Sequence, residues 1–460
     1  MGATVTTFTI ATQAELHAAI TAINAGGTDA AANTSYVFLI TSDLALSSTI
    51  PTINLLASDT LSIEGDNADS DTLTAVIDGG DEHRGFVVNS GTVAFSNLEL
   101  TALTAPGGTG GVPGGGGAIF VGAGASVSTT NVTFTGDSAS GGTPAGGAVF
   151  VAQGGSFEAI GGSIAGAGTE AGKGIFIQGN GSITLSGTTV TGVISDQTGS
   201  HLGTGAGAVS ILGAVTLDAK NTYTGGTSIN GTLSLAASGA AGSGSIAFAT
   251  PTGLELIVGA GDVPANTIDG FVPNSGAGSL SSDLIDLQGI GLATSYTLSA
   301  GNHLTLNGGA TGSVTLNLDP TVNYGADGFV LQPDGGATAA TSGTLLSVVQ
   351  TSFLVGSEAD LNAALAQIDI GGKSSAPGLH YTITFTASFT LGSDLNAINL
   401  AAGDALTIRG AGFTLDGAGK YRGFFDYAGA LTLRNMTIQN AVASGGAGGS
   451  GAAPGGGGAG

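Results

Sequence analysis

The sequence predicts an all-β chain wound as a right-handed parallel β-helix, or β-solenoid, with a short N-terminal capping helix and the whole unit repeated in tandem. Three observations point there. A glycine-rich turn followed by a short apolar strand recurs at residues 114–121, 146–151, 172–177 and 205–211, and a strand returning at such spacing marks a solenoid. Glycine accounts for 85 residues while only 9% are charged, so turns are abundant and the surface must be built from Ser, Thr, Asn and Gly. A long N-terminal block also reappears 345 residues later.

The elements follow in order. Residues 4–10 alternate and read as a strand. Residues 12–24 read as a helix: Thr12 and Glu15 fit a capping box, Leu16, Ala19, Ile20 and Ile23 share a face, and Gly26 and Gly27 end it. A solenoid exposes core side chains and strand edges at its end, and a short amphipathic helix covers them. Short strands then succeed one another at 36–40, 61–64, 75–77, 85–88 and 92–95, separated by residues that tolerate tight turns. Second strands are expected at 126–129, 156–159, 182–185 and 214–217.

In the recurring rung, Ile119, Val149, Ile175 and Val209 share one column, and Val121, Val151, Ile177 and Ile211 lie two residues on, hence on the same face. All are β-branched, as a core column requires. The alternate column reads Phe120, Phe150, Phe176 and Ser210. It faces outward or lies under a loop such as 136–145. In the outward case Phe120, Phe150 and Phe176 are the candidate self-association residues.

Composition excludes several classes. The chain of 460 residues carries a net charge of −24 and only eight Lys and Arg, which argues against nucleic acid and anionic membrane surfaces as partners. It has no Trp and no Cys. At 42% hydrophobic it is too apolar for a linker, and it lacks the period of collagen. No apolar run is long enough to span a membrane, so direct membrane insertion is not expected. The start has neither a basic nor an apolar signal region. The export signal is therefore expected elsewhere, or the chain is a slice of a longer protein.

Residues 221–227 (NTYTGGT), 231–235 (GTLSL) and 242–246 (GSGSI) resemble the autotransporter-associated β-strand repeat of Gram-negative secreted passengers, which places that repeat at 214–248. Residues 283–335 look like a segment of giant repetitive bacterial exoproteins. The helix, followed by residues 61–64, 78–80 and 84–86, looks like the start of a pectin-lyase-like right-handed β-helix. These resemblances imply an extracellular or cell-surface bacterial protein, adhesive or structural, as in a matrix or biofilm. They imply no activity.

The long repeat sets the domain boundaries. Phe8, Leu16, Tyr36, Asn54 and Gly65 match Phe353, Leu361, Tyr381, Asn399 and Gly410. Seven residues then drop out, and Asp78, Arg84 and Asn97 match Asp416, Arg422 and Asn435. The predicted parts are a strand and capping helix (1–60), coils (61–250), a C-terminal solenoid part of the first unit (251–350) and an incomplete second unit (351–460). The second copy breaks off in its own glycine run. A slice of a longer tandem protein and a head-to-tail filament both account for that.

Chemistry is sparse. His17, His83, His201, His303 and His380 show no metal-ligand spacing, and neither a nucleophile elbow nor a complete P-loop occurs. The densest acidic stretch includes Asp66, Asp69 and Asp71, the candidate Ca²⁺ ligands. The second unit deletes most of it and keeps Asp416 and Arg422, so Asp78 and Arg84 are expected to be structural, with Arg84 bonding carbonyls or Asp78. Catalytic residues and cofactors are expected to be none. The reading is a non-enzymatic extracellular structural or adhesive solenoid that binds itself head to tail, with host or cell-surface glycans as further partners. The alternative is a carbohydrate-active β-helix enzyme, which would need paired carboxylates on one face. Ice binding would need regular Thr columns, which the sequence does not supply.

Overall fold

The computed structural model describes residues 4–66, 74–106, 114–140, 145–168, 172–196, 205–249, 253–273, 283–310, 312–335 and 342–444. Contacts divide the chain into two units, one of Met1–Phe271, Leu284–Asp319 and Pro333–Leu345, the other of Val272–Asp283, Pro320–Gln332 and Leu346–Gly460. The segments expected as 1–60, 61–250 and 251–350 thus fall mostly into one compact body.

The first unit is a parallel β-solenoid of three ladders. The first ladder stacks Thr4–Ile10, Thr34–Ile40, Thr60–Gly65, Thr92–Ser96, Ser126–Thr130, Ser156–Ile160, Ser182–Ser186 and the start of Ala208–Leu217, every pair parallel. The second runs from Leu44–Ala45 through Ala75–Asp78, Leu98–Thr101, Thr133–Ala139 and Ser163–Gly166 to Thr189–Val190. The third carries the glycine-led rung: Ile53–Asn54, Phe86–Ser90, Ile119–Val121, Val149–Val151, Ile175–Ile177 and Ile194–Ser195. Ile119, Val149, Ile175, Val121, Val151 and Ile177 are fully buried, so the β-branched columns form the core as expected.

The fourth rung differs from expectation. Phe176 pairs with Ser195, not Ser210. Residues 208–212 join the first ladder on Ser182–Ser186, and Thr216 and Leu217 join the second on Thr189 and Val190. The coil that follows Phe176 is much shorter than the two before it, so the third ladder ends there. Val209 and Ile211 are core residues, but of another ladder.

Beyond it the described strands stack in two ladders. Val209–Leu217 pairs residue for residue with Thr227–Leu235, which then pairs with Ile246–Phe248 and Glu255–Val258. Parallel pairing does not fill the rest of the unit. Ser295–Ser299, His303–Gly309 and Gly312–Leu318 form an antiparallel meander. Gly301 (φ +77°) and Asn302 (φ +58°) supply the left-handed residues of its first turn.

The corner between first and second ladders is a column of left-handed residues: Asn97, Asn131, Gly161, Gly187 and Gly213 have φ from +52° to +69°. Only Gly and, at small cost, Asn adopt this conformation routinely. Asn97 N–H donates to Thr130 O, Asn131 N–H to Ile160 O and Gly161 N–H to Ser186 O. From Asn97 to Gly161 the corner therefore continues the backbone ladder.

Helix α1 (Gln13–Ile23) begins at Thr12 and closes at Asn24, with the capping box formed and Leu16, Ala19, Ile20 and Ile23 buried. It stands where the first coil would have second- and third-ladder strands, and it hydrogen-bonds to the coil below. Gln13 Oε1 accepts from Ser47 N–H, Asn24 Nδ2 donates to Thr52 O, and Asn24 Oδ1 accepts from Asn54 N–H.

The second unit repeats this plan. Helix α2 (Glu358–Ile368) is capped by Ser357 and buries Leu361, Ala364, Leu365 and Ile368. Glu358 accepts from Gly392, and Asp369 Oδ1 accepts from Asn399 N–H, at the places of Gln13 and Asn24. Ser352–Val355, His380–Phe385, Ala405–Arg409 and Ala430–Arg434 form its first ladder. Phe389–Thr390, Thr414–Asp416 and Thr437–Gln439 form the second, and Ile398–Asn399 and Asp426–Ala428 the third.

Candidate functional site

The rings of Phe120, Phe150 and Phe176 stack as a column, with centroids 5.1 and 5.3 Å apart and planes 6° and 17° apart. Phe150 and Phe176 are buried together with Ala145 and Ala152, and only Phe120 is partly open. This corrects the expectation of a self-association surface at these three residues. The glycine-rich turn lies against the rings: a Cβ on Gly115 would sit 2.4 Å from Phe150 Cδ2. The column is thus a second, smaller core outside the third ladder.

Arg84 caps that column. Its guanidinium carbon lies 5.1 Å from the Phe120 ring centroid. Its Nε donates to Gly116 O at 3.1 Å and its Nη2 donates to Gly115 O. Burial pushes the guanidinium down to about 10. Of the two roles expected of Arg84, the structure shows the carbonyl one. Asp78 Oδ1 instead accepts from Gly80 N–H at 2.8 Å, a local turn, and Asp416 Oδ1 accepts likewise from Ala418 N–H.

The motif residues of the autotransporter-like stretch act between coils. Asn221 Oδ1 accepts from Ile194 N–H and its Nδ2 donates to Ala240 O. Asp196 Oδ2 accepts from Gly207 N–H, Thr224 N–H and Thr224 Oγ1. Tyr223 Oη lies 2.6 Å from Thr227 Oγ1. Sequence reasoning passed over buried aspartates that do the same work elsewhere. Asp59 Oδ1 and Asp404 Oδ1 accept from Thr34 N–H and Leu379 N–H, and Asp137 Oδ1 from Leu103 N–H. Desolvation drives the Asp137 carboxyl up to about 8. Their signal was faint, because an Asp in a turn looks alike whether solvated or buried.

Among the described residues, no group of three or more His, Asp or Glu side chains is placed to hold a metal ion. Asp66 is exposed, and Asp69 and Asp71 lie outside the described residues, as does His201. His303 Nδ1 meets Asn317 Oδ1 at 2.8 Å and His17 Nε2 meets Gln13 Nε2 at 3.1 Å, both local contacts. Glu255 and Asp286 lie on paired strands, two positions apart in register, with Glu255 opposite Leu284 and Asp286 opposite Ile257. Burial, and then the charge of Asp286, raises Glu255, while burial raises Asp286 itself. Neither lines the hydroxyl-walled groove of about 260 Å³ near Ser182, Thr184, Ser210 and Ser228, nor the apolar groove of about 300 Å³ between Phe8, Ile10 and α1.

Several apolar side chains are exposed on the last described coil of the second unit. Phe425 is 41% exposed and Tyr427 72%, with Leu433, Ile438 and Val442 each at 40%. In the first unit the residues matching Leu433 and Ile438 are Phe95 and Leu100, at 1% and 0%, covered by the next coil. Arg422, the match of Arg84, lies over Phe425 of its own coil, 4.4 Å from the ring centroid. No protein-family model matches this chain, and no curated protein matches it.

Proposed function

We propose that this chain is a non-enzymatic structural or adhesive β-solenoid of the bacterial surface or extracellular matrix, and that it associates with itself by stacking coil on coil. The observation that carries this reading is the stack of parallel coils itself, in which Ile119, Val149 and Ile175, and Val121, Val151 and Ile177, form buried columns from one coil to the next. Coil stacking is the interaction that builds the whole fold, and the same chemistry would join one chain to another. Such a contact is heterologous and propagates as a fibre rather than closing as a dimer. The low charge and the Ser/Thr/Gly surface support dense lateral packing and fit the passenger-like resemblance of residues 214–248. Electron microscopy of the purified chain tests it: unbranched fibres one solenoid wide support the reading, and monodisperse particles at every concentration sink it.

A second reading rests on Glu255 and Asp286, two carboxylates on paired strands whose affinity for protons is raised by burial. A carbohydrate-active enzyme would use such a pair as acid and base. Turnover of a polysaccharide panel, abolished by Glu255→Gln, would establish it.

A further inference from the structure

The few basic residues of this chain are unevenly placed. Residues 1–350 hold 25 of the 32 Asp and Glu but only three of the eight Lys and Arg, whereas residues 351–460 hold five Lys and Arg against seven Asp and Glu. Two of those five stand side by side. In the first ladder of the second unit Arg409 and Arg434 are direct partners on adjacent coils, and adjacent strands lie about 4.8 Å apart. Leu406 and Ile408 are buried in the strand of Arg409, so the alternating Arg409 faces outward, and Arg434 with it. Both arginines are exposed.

The fold does not ask for this pair. The matching residues of the first unit are Glu64 and Ser96, which pair in the same ladder. Like charges directly opposite one another weaken a sheet. Among the described residues no hydrogen bond or ion pair joins either guanidinium to another group, and residues 435–460 contain no Asp or Glu to neutralise them. A coil laid beyond Arg434 would lengthen this flank without covering it. The first unit displays that case: Ser96, Thr130, Ile160 and Ser186 hold the same column with a coil on either side, and all are half-buried or exposed.

We propose that the flank carrying Arg409 and Arg434 binds an acidic polysaccharide through its carboxylate or sulfate groups. Two guanidiniums at coil spacing clamp one oxyanion or two neighbouring ones. Thr384 continues the arginine column, and Thr382, Thr407 and Thr432 form the column beside it. The pair is thus bordered by hydroxyls that donate to and accept from the hydroxyls of a sugar. None of these positions offers the aromatic anchor that dominates protein interfaces. The negative charge of the first unit confines such binding to this flank, so it depends on the two arginines. This rests on the adhesive half of the reading above and goes beyond self-stacking.

The test is titration of the full chain, at low ionic strength, into fluorescein-labelled polygalacturonate, dextran sulfate and neutral dextran, read by fluorescence anisotropy. Saturable binding of at least one acidic polymer is expected, and whichever binds tells carboxylate from sulfate. Arg409→Gln combined with Arg434→Gln should weaken it roughly tenfold or more, as loss of charge-assisted hydrogen bonds implies. Arg409→Lys should weaken it less than Arg409→Gln. Lys220→Gln removes an exposed positive charge from the first unit and should leave binding unchanged; circular dichroism checks that each variant is folded. Four results overturn the proposal: no saturable binding of either acidic polymer, equal binding of neutral dextran, binding indifferent to the double substitution, or tighter binding of poly-L-glutamate, which would make the partner an acidic polypeptide. Fibres without polysaccharide binding would sink this proposal and leave the stacking reading intact; polysaccharide binding without fibres would do the reverse.

Discussion

Arg84 and Phe120 meet across a coil boundary, guanidinium carbon 5.1 Å from ring centroid, while the same guanidinium holds two carbonyls of the turn that leads into Phe120. One side chain thus fixes the glycine turn, the ring column and the register of the next rung. Arg84→Ala removes two charge-assisted bonds and leaves two carbonyls short of a donor, a loss of roughly 2–4 kcal/mol. Chemical denaturation should show it as a lower midpoint, and an unchanged midpoint would remove Arg84 from the account.

Phe150 is buried in the ring column, so truncating it costs packing and nothing else. Phe150→Ala should destabilise the fold by about 3–5 kcal/mol. Self-association of whatever fraction stays folded should be unaltered, as judged by sedimentation velocity at a temperature well below the melt. A loss of association without loss of stability would restore the column as a contact surface.

The corner column gives two contrasting predictions at one site. Asn131 is left-handed (φ +53°). Asn131→Gly should be neutral within a few tenths of a kcal/mol, whereas Asn131→Val should cost about 1–2 kcal/mol. Equal effects of the two substitutions would show that the corner does not demand that conformation.

Asp137 makes stability depend on pH in an unusual sense. Its folded carboxyl titrates at about 8, above its ordinary 3.8. The folded state holds the proton more tightly, so the contribution is fully present below about pH 4 and is lost as pH rises toward 8. Burial also raises Asp327, to about 6, and raises Glu255, Asp286 and Asp369. Glu15, Glu358, Asp360 and Asp416 are lowered by their hydrogen bonds and act the other way, losing stability below about pH 4. Thermal melts should therefore peak near pH 4–5 and fall toward pH 8, and Asp137→Asn should flatten the fall by roughly 2–5 kcal/mol. A profile rising from pH 5 to 8 would contradict the burial of these groups.

The solenoid was legible because its signals are local and periodic. The rung of glycines and β-branched residues, the capping box at Thr12 and Glu15, and the buried face of α1 all sit within a few residues of one another. The fourth rung was misplaced because 205–211 has the same local pattern as the true rungs, and only coil length tells that it enters another ladder. The antiparallel meander at 295–318 was hidden for the same reason, since period-two alternation is blind to strand direction. The exposure of Phe120, Phe150 and Phe176 was undecidable locally: their cover comes from turns of neighbouring coils. Long-range work by Arg84, Asp196 and Asn221 leaves no trace at sequence distance. The repeat alone singled out Arg84, by retaining Arg422.

The measurement that bears most directly on coil stacking between chains is electron microscopy of the purified chain over a range of concentrations. Unbranched fibres one solenoid wide, growing in number with concentration, are the predicted result. Dispersed particles at every concentration would contradict it.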